Sequence, residues 1–157
     1  MRPYVVLIRG INVGGKSKMS MSKLRACLEG LGFTDVTTYI ASGNVILRSN
    51  KSADQIRVLI EKTLPKHFNI ENDFVKVLVL TKAQMRAVVS HKPKGFGDES
   101  KKYHSDVIFL MGITVAQAIK VFSPKEGVDK IWGGTRVIYS QRLSALRTKS
   151  RLSRIMT

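Results

Sequence analysis

Over its first eighty residues the chain alternates between strand-like and helix-like apolar spacing, and that order limits the fold more than any other property. Tyr4-Val5-Val6-Leu7-Ile8 is an apolar run of strand length, after which Met21, Leu24, Leu28 and Leu31 recur at helical spacing behind Ser20, a favourable N-cap. Residues 35–40 and 43–48 read as two strands joined by the tight turn Ala41-Ser42-Gly43-Asn44, so the sheet is at least partly antiparallel. Ser52 and Gln55 form a capping box before Ile56, Leu59, Ile60 and Leu64, with Pro65 expected to close the helix and a strand expected at 74–80. The order β-α-β-β-α-β is the split, ferredoxin-like arrangement.

The second half repeats this order one strand short. Thr81 with Gln84 caps a short helix carrying Met85, Val88 and Val89, and 91–102 has the Pro, Gly and charge content of an exposed connection. A strand at 106–111, a capping box at Thr114 and Gln117, strands at 129–132 and 136–140 around Gly133-Gly134, and a helix at 150–156 complete the series. Val6-Leu7-Ile8-Arg9-Gly10-Ile11 echoes Ile108-Phe109-Leu110-Met111-Gly112-Ile113, as does Gly43-Asn44-Val45-Ile46-Leu47 the segment Gly134-Thr135-Arg136-Val137-Ile138-Tyr139. The expectation is an α+β protein of two ferredoxin-like subdomains from an internal duplication. Residues 1–80 form the first and 104–157 the second, joined by a helix and loop at 81–103. The second lacks its last strand, leaving 106–111 as an open apolar edge through which copies would associate into a homo-oligomer.

Charge is the second constraint. The formal net charge is +16, with six cations in the first 28 residues, seven in the last 28, and no carboxylate in either stretch. Such ends attract polyanions, nucleic acid first. The alternative is a solvated basic surface with no specific partner. Tyr4, Tyr39, Trp132 and Tyr139 lie in strand-like segments, where aromatics are more often core than stacking platforms. No apolar run reaches membrane-spanning length and the lone Cys27 sits in the first amphipathic helix as a small core residue, so a cytoplasmic protein with no membrane partner is expected.

Residues 10–17, Gly10-Ile11-Asn12-Val13-Gly14-Gly15-Lys16-Ser17, match the phosphate-cradling pattern G-x-x-x-x-G-K-[ST] after a strand. Context argues against an NTPase, because a P-loop runs directly into its helix, whereas helical spacing here starts only at Met21. Neither 74–80 nor 107–111 ends in an acidic residue to hold Mg²⁺. The loop reads as a non-hydrolytic anion site or a structural turn.

The segments YVVLIRGINVGGK (4–16), MSKLRACLEGLGF (21–33), YIASGNVIL (39–47), PKGFG (93–97) and TKSRLS (148–153) resemble the bacterial domain-of-unknown-function family 1697. The resemblance implies a cytoplasmic α+β protein of two related subdomains, and no reaction, cofactor or catalytic residue. It also implies another polar residue where this chain has Ser17, and a longer chain continuing past Thr157 with a strand-like segment.

The ligand-binding candidates are Arg9, Asn12, Gly14, Gly15 and Lys16 on the first loop, Ser42 and Asn44 on the hairpin, and Lys149 and Arg151 before the last helix. Glycine-rich turns present converging N–H groups, and the cations balance a phosphate. Alternatively, Asn12 and Asn44 satisfy their own turns. His67, His91 and His104 show no metal-ligand spacing, and neither Asp106 nor Asp129 has a partner assignable from sequence. Three functions fit these residues: a non-catalytic binder of phosphate-bearing ligands such as nucleic acid, an enzyme acting on a phosphorylated small molecule clamped by Arg9 and Lys16, and an oligomeric interaction module.

Overall fold

Tyr4, Val6 and Ile8 are buried while Arg2 and Arg9 are exposed, and this alternation in the first strand decides the architecture of the first half. The computed structural model describes residues 1–12, 19–70 and 75–152. It divides the chain into two units, Met1–Arg86 and Ala87–Thr157. The first contains β1 (Arg2–Arg9), α1 (Met21–Gly30), β2 (Thr34–Tyr39), β3 (Asn44–Ser49), α2 (Ala53–Phe68) and β4 (Lys76–Thr81). Its four strands are antiparallel in the order β2-β3-β1-β4.

One face of this sheet makes the core. Val6, Val45, Leu47 and Val77 pack with Leu24 and Leu28 of α1 and with Ile56, Ile60 and Leu64 of α2. Each such side chain, fully buried, contributes about 1.5–3 kcal/mol. The caps match the sequence pattern: Lys23 N–H donates to Ser20 Oγ, and Ser52 and Gln55 exchange both bonds of a capping box. Pro65, expected to close α2, instead lies inside its last turn, and the helix runs on to Phe68. Proline removes one intrahelical bond there. Its ring is buried, however, and its carbonyl accepts from Ile70 N–H at 2.9 Å beyond a left-handed Asn69, so packing and cap hold the extra turn.

The link between β2 and β3 is a 3₁₀ turn at Ile40–Ser42, wider than the tight turn expected, followed by Gly43 at φ 78°. Ile40 itself has φ 49°, a left-handed conformation that costs a β-branched residue about 1–2 kcal/mol.

In the second unit, β5 (Tyr103–Phe109), α4 (Val115–Ile119), β6 (Asp129–Gly133) and β7 (Val137–Leu143) form an antiparallel sheet of order β5-β7-β6. α3 (Lys82–Ser90) precedes them, with Thr81 and Gln84 exchanging backbone bonds at its start. β5 begins at Tyr103 and β7 continues to Leu143, each three residues beyond the expected strand. The added residues, among them His104, Ser105, Gln141 and Arg142, are polar and carry no apolar signal, yet their backbones pair in register. Both faces are covered. Phe96, Val137 and Tyr139 pack with Val107, Phe109 and Trp132 on one side, and Leu110, Ala118, Phe122, Ile138 and Leu152 pack together on the other. Through Phe96, whose ring meets Tyr139 edge-on at 5.2 Å, the 91–102 segment supplies core to this unit. A 3₁₀ turn at Ser144–Lys149 follows β7, and most of the helix expected at 150–156 falls outside the described residues.

The two glycine environments give a paired prediction. A Cβ at Gly43 would sit 2.7 Å from the Ile8 carbonyl oxygen, whereas at Gly32, also at positive φ, it meets nothing within 4 Å. Gly43→Ala should therefore cost more than about 2 kcal/mol and Gly32→Ala only about 1 kcal/mol. Urea unfolding of both variants checks it, since the two effects share the backbone strain and differ only in the clash.

Candidate functional site

Arg9 ends β1 opposite Lys76 at the start of β4, and both side chains are exposed without an ion pair among the described residues. Two residues back along the strand, a row crosses the sheet from Tyr39 through Asn44 and Leu7 to Leu78, on the face turned away from the helices. The next row is Thr37, Ile46, Val5 and Leu80. None of these apolar residues belongs to the core packed beneath α1 and α2. Tyr39 is 70% exposed and Ile46 51%. Tyr4 and Tyr139 are buried and Trp132 packs on the second core, the usual place for strand aromatics, whereas Tyr39 is not.

Asn12 ties this end of the sheet together. Its side-chain amide accepts from Met19 N–H at 2.7 Å, donates to the Met19 carbonyl at 2.9 Å, and donates to the Ala41 carbonyl at 3.2 Å. Ile8 N–H donates to the Gly43 carbonyl at 3.0 Å, so the neck of the glycine-rich loop and the hairpin are fixed to the end of β1. Asn44 turns its amide onto Ser42 Oγ at 2.7 Å. Of the candidates, Arg9, Asn12, Ser42 and Asn44 thus come together; Gly14, Gly15 and Lys16 lie outside the described residues. Asn12 serves as the clasp, and Arg9 is exposed.

Lys149 and Arg151 belong to the second unit. Both side chains are exposed, but the Arg151 N–H donates to Asp129 Oδ2 at 3.0 Å. The same oxygen accepts from Lys125 N–H at 2.9 Å. Burial alone would push the Asp129 carboxyl up, yet the Arg151 and Lys125 N–H groups, the Ser150 hydroxyl and the Arg142 charge hold it below the ordinary carboxylate range.

The partners that sequence could not assign to Asp106 and Asp129 come from cross-strand register. Arg142 faces His104 on β5 and Asp129 on β6. Its Nη2 lies 3.7 Å from Asp106 Oδ2, while His104 Nε2 lies 3.3 Å from Asp106 Oδ1. Asp106 and Arg142 are distant in the chain and carry no sequence signal for this grouping; only the β5–β7 pairing creates it. Cys27 is buried, and burial pushes its thiol up, away from nucleophile chemistry. Among the described residues no helix is long and apolar enough to cross a membrane.

A protein with this two-sheet α+β architecture can be placed by likeness. The chain belongs to the family described as protein of unknown function (DUF1697), whose profile matches residues 1–139. Its structure is similar to that of the conserved bacterial protein SP0830 from Streptococcus pneumoniae, with a TM-score of 0.78 and 25% sequence identity, covering 96% of this chain and 82% of that one. No curated relative matches the sequence.

Because the folded value of Asp129 is depressed, its carboxylate adds stability that is complete above the unfolded value of about 3.9 and is lost as pH falls through the folded value. Asp129→Ala should destabilise the protein at neutral pH by about 2 kcal/mol or more, since two N–H groups lose their acceptor. It should also flatten the fall in stability below about pH 4. Denaturant midpoints measured from neutral pH into acid would show both effects; an unchanged acid limb would remove Asp129 from this role.

Proposed function

We propose that this protein is a non-catalytic binder of phosphate-bearing ligands, nucleic acid above all, and that it works in the cytoplasm. The observation that carries the reading is the side-by-side placement of Arg9 and Lys76 at the end of the first sheet, both exposed, with Asn12 bonded to Met19 a few residues further along the chain. Two exposed cations at one strand end raise the local anion concentration, and phosphate binding by such groups releases counterions. The strands of this sheet contain one carboxylate, Asp35, and Arg48 neutralises it at 3.0 Å.

The same reading takes the two units as ferredoxin-like repeats of one duplicated ancestor. In support, the order β5-β7-β6 reproduces β1-β3-β2 of the first sheet, with a helix after the first strand in each case. On this plan β5 corresponds to β1, and a strand from a second copy of the chain would pair along its open edge.

Binding of a short labelled oligonucleotide should weaken steeply from about 50 mM to 200 mM salt. Replacing Arg9 and Lys76 together by Ala should weaken it further and reduce the magnitude of the slope of log K against log salt by about 0.7 for each phosphate no longer neutralised. Wild-type protein should release no phosphate from ATP or GTP with Mg²⁺. Turnover that Lys16→Ala abolishes would overturn the non-catalytic reading, and absence of oligonucleotide binding at about 50 mM salt would remove nucleic acid as the ligand.

A further inference from the structure

Tyr39 is the one aromatic ring on the outer face of the first sheet among the described residues, and at 70% exposure it makes no hydrogen bond or ring contact with any of them. Burying such a ring in the core is the usual use of a strand tyrosine. Here the backbone works against it. Ile40, next in the chain, is held at φ 49° and is itself 62% exposed, so the apolar pair at the hairpin tip is displayed at a cost in strain and in hydration. What maintains the strain is visible: the Ala41 carbonyl is held by Asn12 and the Gly43 carbonyl by Ile8. An exposed aromatic beside a strained, pinned turn is a pre-organised contact.

Its neighbours on the same face indicate the occupant. Asn44 lies across from Tyr39 and Leu7 beyond it; Arg9 is one row further along, its Cα roughly 12 Å from that of Tyr39 by strand and row spacing, with Lys76 at its side. A flat apolar strip with an exposed ring on one side and two cations at its end matches a molecule that alternates planar bases with phosphates. Bases in a duplex are stacked on one another and present no face to a ring on a sheet, whereas bases of a single strand do.

We infer that the outer face of the first sheet binds single-stranded nucleic acid, with a base stacked on Tyr39 and the backbone phosphates at Arg9 and Lys76. This rests on the phosphate-binding reading above and adds to it the class of ligand and the residue that senses bases. Asn44, whose amide is committed to Ser42, positions the turn and does not read sequence. Stacking on one ring tolerates any base, so the binding is sequence-tolerant.

The test uses the full chain and three fluorescent probes of equal length: oligothymidylate, the same strand without bases, and a duplex, each titrated at about 50 mM salt. Wild type should bind oligothymidylate about 5- to 100-fold more tightly than the abasic strand. Tyr39→Ala should remove that preference while leaving the abasic affinity and melting temperature unchanged, and Tyr39→Phe should retain it. If the abasic strand binds as tightly as oligothymidylate, and Tyr39→Ala changes neither while the Arg9 and Lys76 double variant weakens both, the stacking inference is wrong and the phosphate reading stands. No binding of any probe overturns both. A preference for the duplex, or sedimentation showing self-association that Tyr39→Ala abolishes with strand binding unaffected, would assign the face to another occupant and overturn the inference.

Discussion

The side-chain amide of Asn12 is the interaction on which the first unit's site depends. One planar group, with an acceptor and two donors, satisfies Met19 and Ala41 at once and so joins a loop neck to a hairpin distant from it in the chain. Asn12 has φ 55°, a conformation asparagine tolerates better than most residues, so the same side chain suits both the turn and the bridge. With Ile8 bonded to Gly43 and no room for a Cβ between them, the end of β1 has one arrangement available to it. The hairpin tip held in this way leaves the Tyr39 and Ile40 side chains in solvent.

The second unit solves a different problem, that of holding a short three-stranded sheet covered on both faces. Tyr139 is its centre on one side: the ring is nearly fully buried against Phe96, and its hydroxyl donates to the Val88 carbonyl at 2.6 Å, while burial pushes the phenol up. On the other side Asp129 gathers the chain before β6 and the chain after the 3₁₀ turn onto one carboxylate oxygen. Nearby, at the polar end of the sheet, Asp106 lies 3.3 Å from His104 and 3.7 Å from Arg142, so the Arg142 cation is partly committed to a carboxylate of its own unit. In the first unit Arg9 and Lys76 are exposed with no ion pair among the described residues, so net charge alone does not show which cations are uncommitted.

The elements are legible in the sequence where local chemistry settles them. Ser20, Ser52 with Gln55, and Thr114 with Gln117 cap the helices their spacing predicts, because capping involves residues three apart and no distant partner. The alternation in β1 and the pairing around Gly43-Asn44 are equally local. Boundaries fail where distant packing outweighs a local rule, as at Pro65, which a buried ring and a left-handed Asn69 carry through the last turn of α2. They fail again at 103–105 and 141–143, where polar residues become strand only because they face each other.

For the site, the sequence by itself determined the materials: cations without carboxylates at both ends, glycines and asparagines at two turns, and a match to one family over most of the chain. Its hairpin signals also determined that the sheets are at least partly antiparallel, since a hairpin leaves no other direction for its two strands, and the remaining pairings proved antiparallel in the structure. Only the tertiary structure decided which cations meet, because Arg9 and Lys76 are neighbours solely through the register of β1 with β4. It alone decided that Tyr39 faces water and Tyr139 does not. Both are strand tyrosines with the same local signal, and they differ in whether helices and loops pack over the face on which the ring lies.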